Sequence, residues 1–174
     1  MIYIDLGCNN GKTIIDFYKN HDRSIKSIGI DPLGEKYPKE WDAIRLEYGT
    51  LFMKRAALDF NGEIEFSERS DDVKSSVMKE KIRFKNGRIY TVDCFDFADY
   101  IKYIKKHRIY LRMDIEGAEY PVLIKMIKDG MMERVEFLEV EWHSRKMTDP
   151  KYAQQEKEIK EFIKANNIKY TEIT

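Results

Sequence analysis

Short apolar runs alternate with stretches of helical spacing along most of the chain. The first run, Ile2–Leu6, predicts a buried strand, and the Gly/Asn-rich stretch after it predicts a turn that leads into a helix over Lys12–Asn20. Further strands are predicted at Ile25–Ile30, Leu51–Ala57, Ile109–Ile115, Val135–Trp142 and Ile168–Ile173. Further helices are predicted at Pro38–Glu47, around Ala98–Ile104, from Pro121 to a C-cap at Gly130, and near Lys151–Asn166.

The pattern changes between Gly62 and Val92. Ile64 and Phe66 alternate with acidic residues, and then two further strand-like runs, Lys81–Phe84 and Arg88–Val92, flank Asn86-Gly87. Because Asn-Gly is typical of two-residue hairpin turns, this region predicts a β-hairpin insertion after the third strand.

Strands that alternate with helices of this length indicate right-handed crossovers and a mainly parallel sheet covered on both faces. The predicted fold class is therefore α/β, Rossmann-like and doubly wound, and 174 residues suit one domain over residues 1–174. In such sheets, ligands bind beyond the carboxyl ends of the strands, so the residues at those ends are the candidates for function.

Composition narrows the classes of partner. The chain has 31 basic and 31 acidic residues, so no overall field favours nucleic acid or an anionic membrane, and neither is expected as a partner. Cys8 and Cys94 lie far apart and suggest neither a disulfide framework nor a zinc site. Two such cysteines suit a reducing compartment, so we expect a cytoplasmic protein. The first residues carry no basic segment and no long apolar run, so we expect no signal peptide or membrane span.

The first two strands end in residues suited to a nucleotide. Asp5-Leu6-Gly7-Cys8-Asn9-Asn10-Gly11 offers two glycines at a sharp turn before a helix, and Asp31 closes the second strand where it could accept hydrogen bonds from a ribose. Gly7 and Gly11 do not make the G-x-G-x-x-G of dinucleotide binders, which weighs against NAD without excluding it. A tight turn without a ligand and a solvated strand end remain the alternatives.

Acidic residues follow the fourth and fifth core strands. Asp114, Glu116 and Glu119 come after the fourth, while Glu139, Glu141 and His143 alternate with apolar residues at the end of the fifth. A period of two places those three on one face, which we expect to meet a cleft or solvent. Asp114 and His143 are candidate general bases, although a surface histidine and carboxylates that cap a helix would explain the same residues.

Six segments together resemble the FkbM-type methyltransferases, a branch of the class I S-adenosylmethionine-dependent family. They are Asp5 to Gly11, Gly29-Ile30-Asp31-Pro32, Ala56 to Asp59 with Asn61-Gly62-Glu63, Thr91-Val92-Asp93-Cys94-Phe95, Met113 to Glu119, and Leu138-Glu139-Val140-Glu141. The resemblance covers most of the chain. Class I folds usually end in two strands where this sequence offers one, so we expect a sheet shortened at its C-terminal edge.

The resemblance implies S-adenosylmethionine as cofactor. It places Asp5, Gly7, Asn9 and Gly11 around the methionine portion, Asp31 at the ribose, and Ala57 with Leu58 near the adenine. The full set of expected cofactor residues is Asp5, Gly7, Cys8, Asn9, Asn10, Gly11, Asp31, Pro32, Ala57 and Leu58.

The expected reaction is O-methylation of a hydroxyl on a sugar or small metabolite, with Asp114, Glu116, Glu141 and His143 as catalytic candidates. A nitrogen acceptor is also open, and Asp114, Glu116 and Glu141 could hold a divalent cation such as magnesium. The alternatives are a non-catalytic module that binds a metabolite or partner and, less favoured, an NAD-dependent oxidoreductase. The final strand, at a sheet edge, leaves monomer and homodimer both open.

Overall fold

The fold is described from a computed structural model, which covers residues 1–68, 75–78, 88–104 and 107–173. The strands are β1 (Ile2–Leu6), β2 (Lys26–Ile30), β3 (Leu51–Met53), β4 (Ala56–Leu58), β5 (Gly62–Glu68), β6 (Arg88–Asp96), β7 (Ile109–Met113), β8 (Val135–Glu141) and β9 (Lys169–Ile173). The α-helices are α1 (Lys12–Asn20), α2 (Pro38–Tyr48), α3 (Phe97–Tyr103), α4 (Glu119–Lys128) and α5 (Lys151–Ala165).

The main sheet has six strands in the order β3-β2-β1-β7-β8-β9, and every neighbouring pair in it is parallel. The predicted α/β class with a mainly parallel, Rossmann-like sheet is therefore confirmed. β1 lies in the middle, between β2 and β7, so the turn that follows β1 opens at the centre of the sheet's carboxyl edge. The strand order reverses direction around β1, which is where α/β sheets place their ligands.

The two faces of the sheet bury different cores because neighbouring residues of a strand point to opposite sides. Ile4 and Leu6 of β1 belong to a large aliphatic cluster that α3, α4 and α5 cover. Tyr3 faces the other way into an aromatic cluster under α1 and α2, where its ring stacks on Phe17 at 4.0 Å between centroids. Helices on both faces hold the carboxyl edge of the sheet in place.

A second, three-stranded sheet has the order β4-β6-β5, with β5 antiparallel to β6. The prediction of one strand over Leu51–Ala57 was wrong, because the chain changes sheets there: β3 pairs with β2 and β4 pairs with β6. The Arg55 side chain donates to the Cys94 carbonyl of β6, which ties the chain to its new partner. Lys81–Phe84 and Asn86-Gly87 of the predicted hairpin lie outside the described residues.

The start of helix α4 differs from the prediction. Helix α4 begins at Glu119 and not at Pro121. Proline is tolerated there because N–H groups in the first turn have no partner within the helix.

The sheet ends at β9, which among the described residues pairs with β8 alone. In the part of the chain that the structure describes, no helix combines the length and apolarity that crossing a membrane requires.

Candidate active site at the carboxyl ends of β1, β2, β7 and β8

The turn after β1 packs tightly against the end of β7. Gly7 has a φ of 81°, and a Cβ built on it would lie 1.9 Å from the carbonyl oxygen of Asp114. The Gly7 N–H donates to the Ile30 carbonyl at 2.8 Å, so the turn is held by both neighbouring strands. Only glycine combines this positive φ with the close approach.

Asp31, at the end of β2, fastens two loops together. Its carboxylate accepts the backbone N–H of Asn9 at 2.9 Å and that of Leu33 at 2.7 Å. Burial raises the pKa of Asp31 to about 6, and these two hydrogen bonds only partly oppose the rise. The carboxylate therefore lies at the junction of both loops, and its oxygens can accept further hydrogen bonds.

A buried ion pair lies beneath the turn. Asp5 is fully buried, accepts a hydrogen bond from the Thr13 hydroxyl, and has its Oδ1 3.2 Å from Nη1 of Arg112 on β7. Burial raises the pKa of Asp5, while the Arg112 guanidinium opposes that rise. Arg112 also lies 3.8 Å from Asp114, so one guanidinium connects the turn after β1 with the acidic residues after β7.

Glu119 organises the loop between β7 and α4. Its fully buried carboxylate accepts the N–H of Ile115 at 2.9 Å and that of Gly117 at 2.8 Å. Glu116 and Gly117 have positive φ values of 58° and 112°, so the loop is sharply bent between Asp114 and the helix. These bonds fix the backbone that carries Asp114 and Glu116.

His143 follows β8 and is completely buried, which rejects the surface-histidine alternative. Its Nδ1 lies 3.1 Å from Glu119 Oε1, and its backbone N–H donates to the Tyr120 hydroxyl at 2.9 Å. Nε2 lies 3.3 Å from both Glu116 Oε2 and Glu141 Oε1. Burial alone would lower the pKa of His143, but the hydrogen bond and charge of Glu119, with the charge of Glu116, outweigh it and raise the pKa.

Asp114 lies among these groups and is partly buried. Burial and then the charge of Glu141 raise the pKa of Asp114 to about 6, against the opposing charges of Arg112 and His143. On β8 itself, Leu138 and Val140 are buried while Glu139 and Glu141 are partly exposed. The alternation agrees with the predicted exposed face for Glu139 and Glu141, but His143, expected on the same face, is buried. Glu139 accepts a hydrogen bond from the Tyr110 hydroxyl at 2.7 Å.

A cavity of about 320 Å³ opens between the turn after β1 and the loop after β7. Its wall includes nine of the residues singled out from the sequence, namely Gly7, Cys8, Asn9, Asn10, Asp31, Pro32, Ala57, Asp114 and Glu116. The other expected residues lie behind or beside this wall and do not line it: Asp5, Gly11, Leu58, Glu141 and His143. A volume of this size lies within the range of small-molecule sites, roughly 300–1,000 Å³.

Comparison with known protein families assigns this fold. The family described as Methyltransferase FkbM domain matches residues 5–170, nearly the whole chain. The chain belongs to the FkbM methyltransferase family. The resemblance found in the sequence motifs is therefore confirmed. No curated protein and no solved structure matches the chain.

Membership of the FkbM methyltransferase family implies S-adenosylmethionine, in general, as the methyl donor. The cavity fits such a group on its own geometry. Its apolar lining includes Leu33, Ala56, Phe66 and Val77, which pack in one cluster, and also Ala57. Its polar lining includes Thr13 and Arg112, which both contact Asp5, and also Lys12. A purine needs the first surface and an amino-acid group the second, and Asp31 also lines the cavity.

Sequence reasoning missed Arg112 and the role of Glu119 in this FkbM methyltransferase. Arg112 carried a signal, since it is the one charged residue in the strand Ile109–Met113 and charges are rarely buried without a partner. Its partner Asp5 is 107 positions away, which no local pattern indicates. Glu119 was noted among the acids, but its contact with His143 depends on the folded arrangement of α4 and β8.

Proposed function

We propose that this methyltransferase uses S-adenosylmethionine to methylate a hydroxyl group on a sugar or another small metabolite. The observation that carries the proposal is the single cavity whose wall combines the glycine turn and Asp31 with the carboxylates Asp114 and Glu116. A donor-binding surface and a set of proton acceptors thus share one space.

The cofactor residues act by position and by charge. Asp31 accepts hydrogen bonds from the ribose hydroxyls, because its oxygens already lie at the cavity wall with two backbone donors fixing them. Ala57 and its apolar neighbours pack on the adenine. Lys12 and Arg112 balance the carboxylate of the methionine portion, and the backbone of Gly7 to Asn10 follows its chain.

When bound, the sulfonium of the donor supplies the methyl group, and the S–CH₃ bond breaks with its electron pair left on sulfur as the acceptor oxygen forms the new C–O bond. The protein aligns the acceptor for this displacement and takes up the hydroxyl proton. Three acidic residues among those described line the cavity, and Asp31 is assigned to the ribose, so Asp114 or Glu116 receives the proton. His143 does not line the cavity and acts through the carboxylates that contact it.

A divalent cation at the acceptor end belongs to the same proposal. The reason is that Asp114 and Glu116 line the cavity that an acceptor must enter, and carboxylates there could hold an ion against a pair of acceptor oxygens.

Calorimetric titration with S-adenosylhomocysteine, with NADH in a parallel titration, tests the cofactor. Binding of S-adenosylhomocysteine alone is expected. Binding of NADH alone would point to the oxidoreductase alternative, and binding of neither would point to the non-catalytic module.

Release of S-adenosylhomocysteine in the presence of a panel of sugars and small alcohols or amines then tests the acceptor. Asp114→Asn and Glu116→Gln separate the two proton acceptors: loss of the base should lower kcat by about 10²-fold or more and leave donor affinity unchanged. Glu40→Gln, an exposed change on α2, is the control for loss of one carboxylate. Methylation of amines and not alcohols would overturn the assignment of a hydroxyl acceptor.

A further inference from the structure

One of the two ring nitrogens of His143 is buried without a hydrogen bond in the described part of the chain. Its side chain has no exposed surface, and Nε2 makes no hydrogen bond with any residue that the structure describes. A buried polar atom without a hydrogen bond costs roughly 1–3 kcal/mol, so such an atom calls for an explanation.

Three side chains at this place offer atoms that can bind a metal ion. One carboxylate oxygen of Asp114, one of Glu141 and one ring nitrogen of His143 all lie within 4.8 Å of one another. Three ligand atoms this close can be drawn onto one ion by small side-chain movements, since metal–ligand distances to these atoms are about 2.0–2.2 Å.

We propose that Asp114, Glu141 and His143 bind a divalent transition-metal ion, with Mn²⁺ preferred to Mg²⁺. The sequence suggested Glu116 as the third ligand, whereas the geometry replaces it with His143. The replacement matters because Mg²⁺ and Ca²⁺ select oxygen ligands, while a mixed set of carboxylates and one imidazole suits manganese, iron or zinc.

The second contact of the ring supports this assignment. Glu119 lies 3.1 Å from Nδ1, and its own carboxylate is fixed by the N–H groups of Ile115 and Gly117. Histidines that bind metals usually donate their other N–H to such a carboxylate, which sets the tautomer and aims the free nitrogen at the ion. Glu119 would therefore position His143 and not touch the ion.

Other charged side chains lie close to these three residues and would compete with a metal ion for the carboxylates. Lys146 donates to Glu141 at 3.1 Å, and Arg112 lies 3.8 Å from Asp114. The Lys146 side chain is 42% exposed, so it can move into solvent when an ion takes its place. Glu116 Oε2 lies 3.3 Å from Nε2, and Glu116 also lines the cavity.

The role of the ion rests on the proposed function. Three protein ligands leave positions for water or for two oxygens of the acceptor, which points to an acceptor with neighbouring oxygens, such as a vicinal diol. Asp114 is then a ligand, and Glu116 is left to take the hydroxyl proton.

Binding of Mn²⁺ alone tests the site without any methyl donor. The full chain is stripped with a chelator, dialysed and titrated with Mn²⁺ while electron paramagnetic resonance follows the free ion. One ion per chain is expected, with at least 10-fold weaker binding in Glu141→Gln and in His143→Gln. Glu139→Gln, on the same strand, should leave the affinity unchanged. Mg²⁺ should displace Mn²⁺ only at a concentration at least 10-fold higher.

Electron spin-echo modulation of the bound Mn²⁺ provides a readout that a loose acidic cluster would not give. Coupling to an imidazole nitrogen is expected in the wild-type protein and should vanish in His143→Gln. If His143→Gln does not fold, the wild-type spectrum and Glu141→Gln still decide the outcome. Absence of binding, or binding without nitrogen coupling, would overturn the proposal. S-adenosylhomocysteine binding, measured on the same sample, shows separately whether the proposed function stands.

Discussion

At the scale of single residues, two glycines with similar backbone angles have very different surroundings. Gly7 and Gly49 have φ values of 81° and 69°. A Cβ on Gly7 would meet the Asp114 carbonyl, whereas a Cβ on Gly49 would have nothing within 4 Å. The pair therefore separates the cost of a positive φ from the cost of a collision.

We expect Gly49→Ala to lower the free energy of unfolding by about 1 kcal/mol, since alanine pays only for the left-handed conformation. Gly7→Ala should cost about 3 kcal/mol or more, because the backbone at the ends of β1 and β7 must also move apart. Urea unfolding of both variants measures the difference. Equal costs would show that the turn yields freely to the methyl group.

The buried charge of Asp31 lowers the stability of the fold, although the same carboxylate is proposed to bind the ribose. Its folded-state pKa of about 6 lies above the ordinary aspartate value of 3.8, so the folded protein favours the neutral acid. That contribution to stability is present below about pH 4 and is lost as the pH rises towards 6. Above pH 6 Asp31 is charged in the folded protein, and the burial of this charge lowers the free energy of unfolding.

Asp31→Asn replaces one accepting oxygen with an NH₂ group and so loses one of the two backbone hydrogen bonds, which should destabilise the ligand-free protein at pH 4 by about 1–3 kcal/mol. Between pH 4 and pH 8 this cost should shrink by about 2–3 kcal/mol, because only the aspartate carries a buried charge at the higher pH. The same change should weaken S-adenosylhomocysteine binding by about 1–3 kcal/mol, because one acceptor for the ribose hydroxyls is lost. Chemical unfolding at the two pH values and calorimetry measure these effects. Asp42→Asn on the exposed side of α2 serves as control, and a cost of Asp31→Asn that does not shrink between pH 4 and pH 8 would contradict the argument.

At the scale of elements, β1 and β7 are joined by a charge pair in addition to their backbone ladder. Asp5 and Arg112 are directly paired in the register, and the Asp5 side chain has no exposure. Removing one partner of a buried pair leaves the other charge without compensation.

Arg112→Met should cost about 3–5 kcal/mol of unfolding free energy, and adding Asp5→Asn should restore part of that loss. Arg23→Met, which breaks an exposed pair with Glu47, should cost less than about 1 kcal/mol. Thermal or urea unfolding of the wild type, Arg112→Met, Asp5→Asn and the double variant completes the cycle, and Arg23→Met is measured beside them. A double variant that is no better than Arg112→Met would argue that the arginine acts mainly through packing.

The elements also show what a sequence pattern can and cannot predict. β1 and α1 lie where the pattern predicted them, because five apolar or buried positions and a one-sided helix face are local signals. The run Leu51–Ala57 looked like one strand because its side chains are similar throughout, and the change of sheet depends on distant partners in β2 and β6. The contact of His143 with Glu119 is likewise set by packing across 24 positions.

At the scale of the whole molecule, the cavity receives residues from the ends of β1, β2 and β7 and from β4 of the second sheet. The sequence predicted the edge of the sheet at which these ends meet, since parallel strands share one carboxyl edge. It did not predict which side chains reach the cavity, because that depends on the packing of both sheets.

A ligand that contacts all these segments should stabilise the whole fold. At 100 times its dissociation constant, S-adenosylhomocysteine should add about 2.7 kcal/mol and raise the melting temperature by roughly 5–10 °C. Differential scanning calorimetry measures the shift, with NADH as control. No shift at saturation, despite binding by calorimetric titration, would mean that the ligand also binds the unfolded chain.

The central place of β1 has a consequence for the ribosome-bound chain. One edge of β1 pairs with residues 26–30, which follow soon in synthesis, but the other pairs with residues 109–113. Translation at about 5–20 residues per second leaves that edge without its neighbour for several seconds. The nascent chain thus presents an unprotected apolar strand during elongation, and chaperone demand should be highest before β7 leaves the exit tunnel.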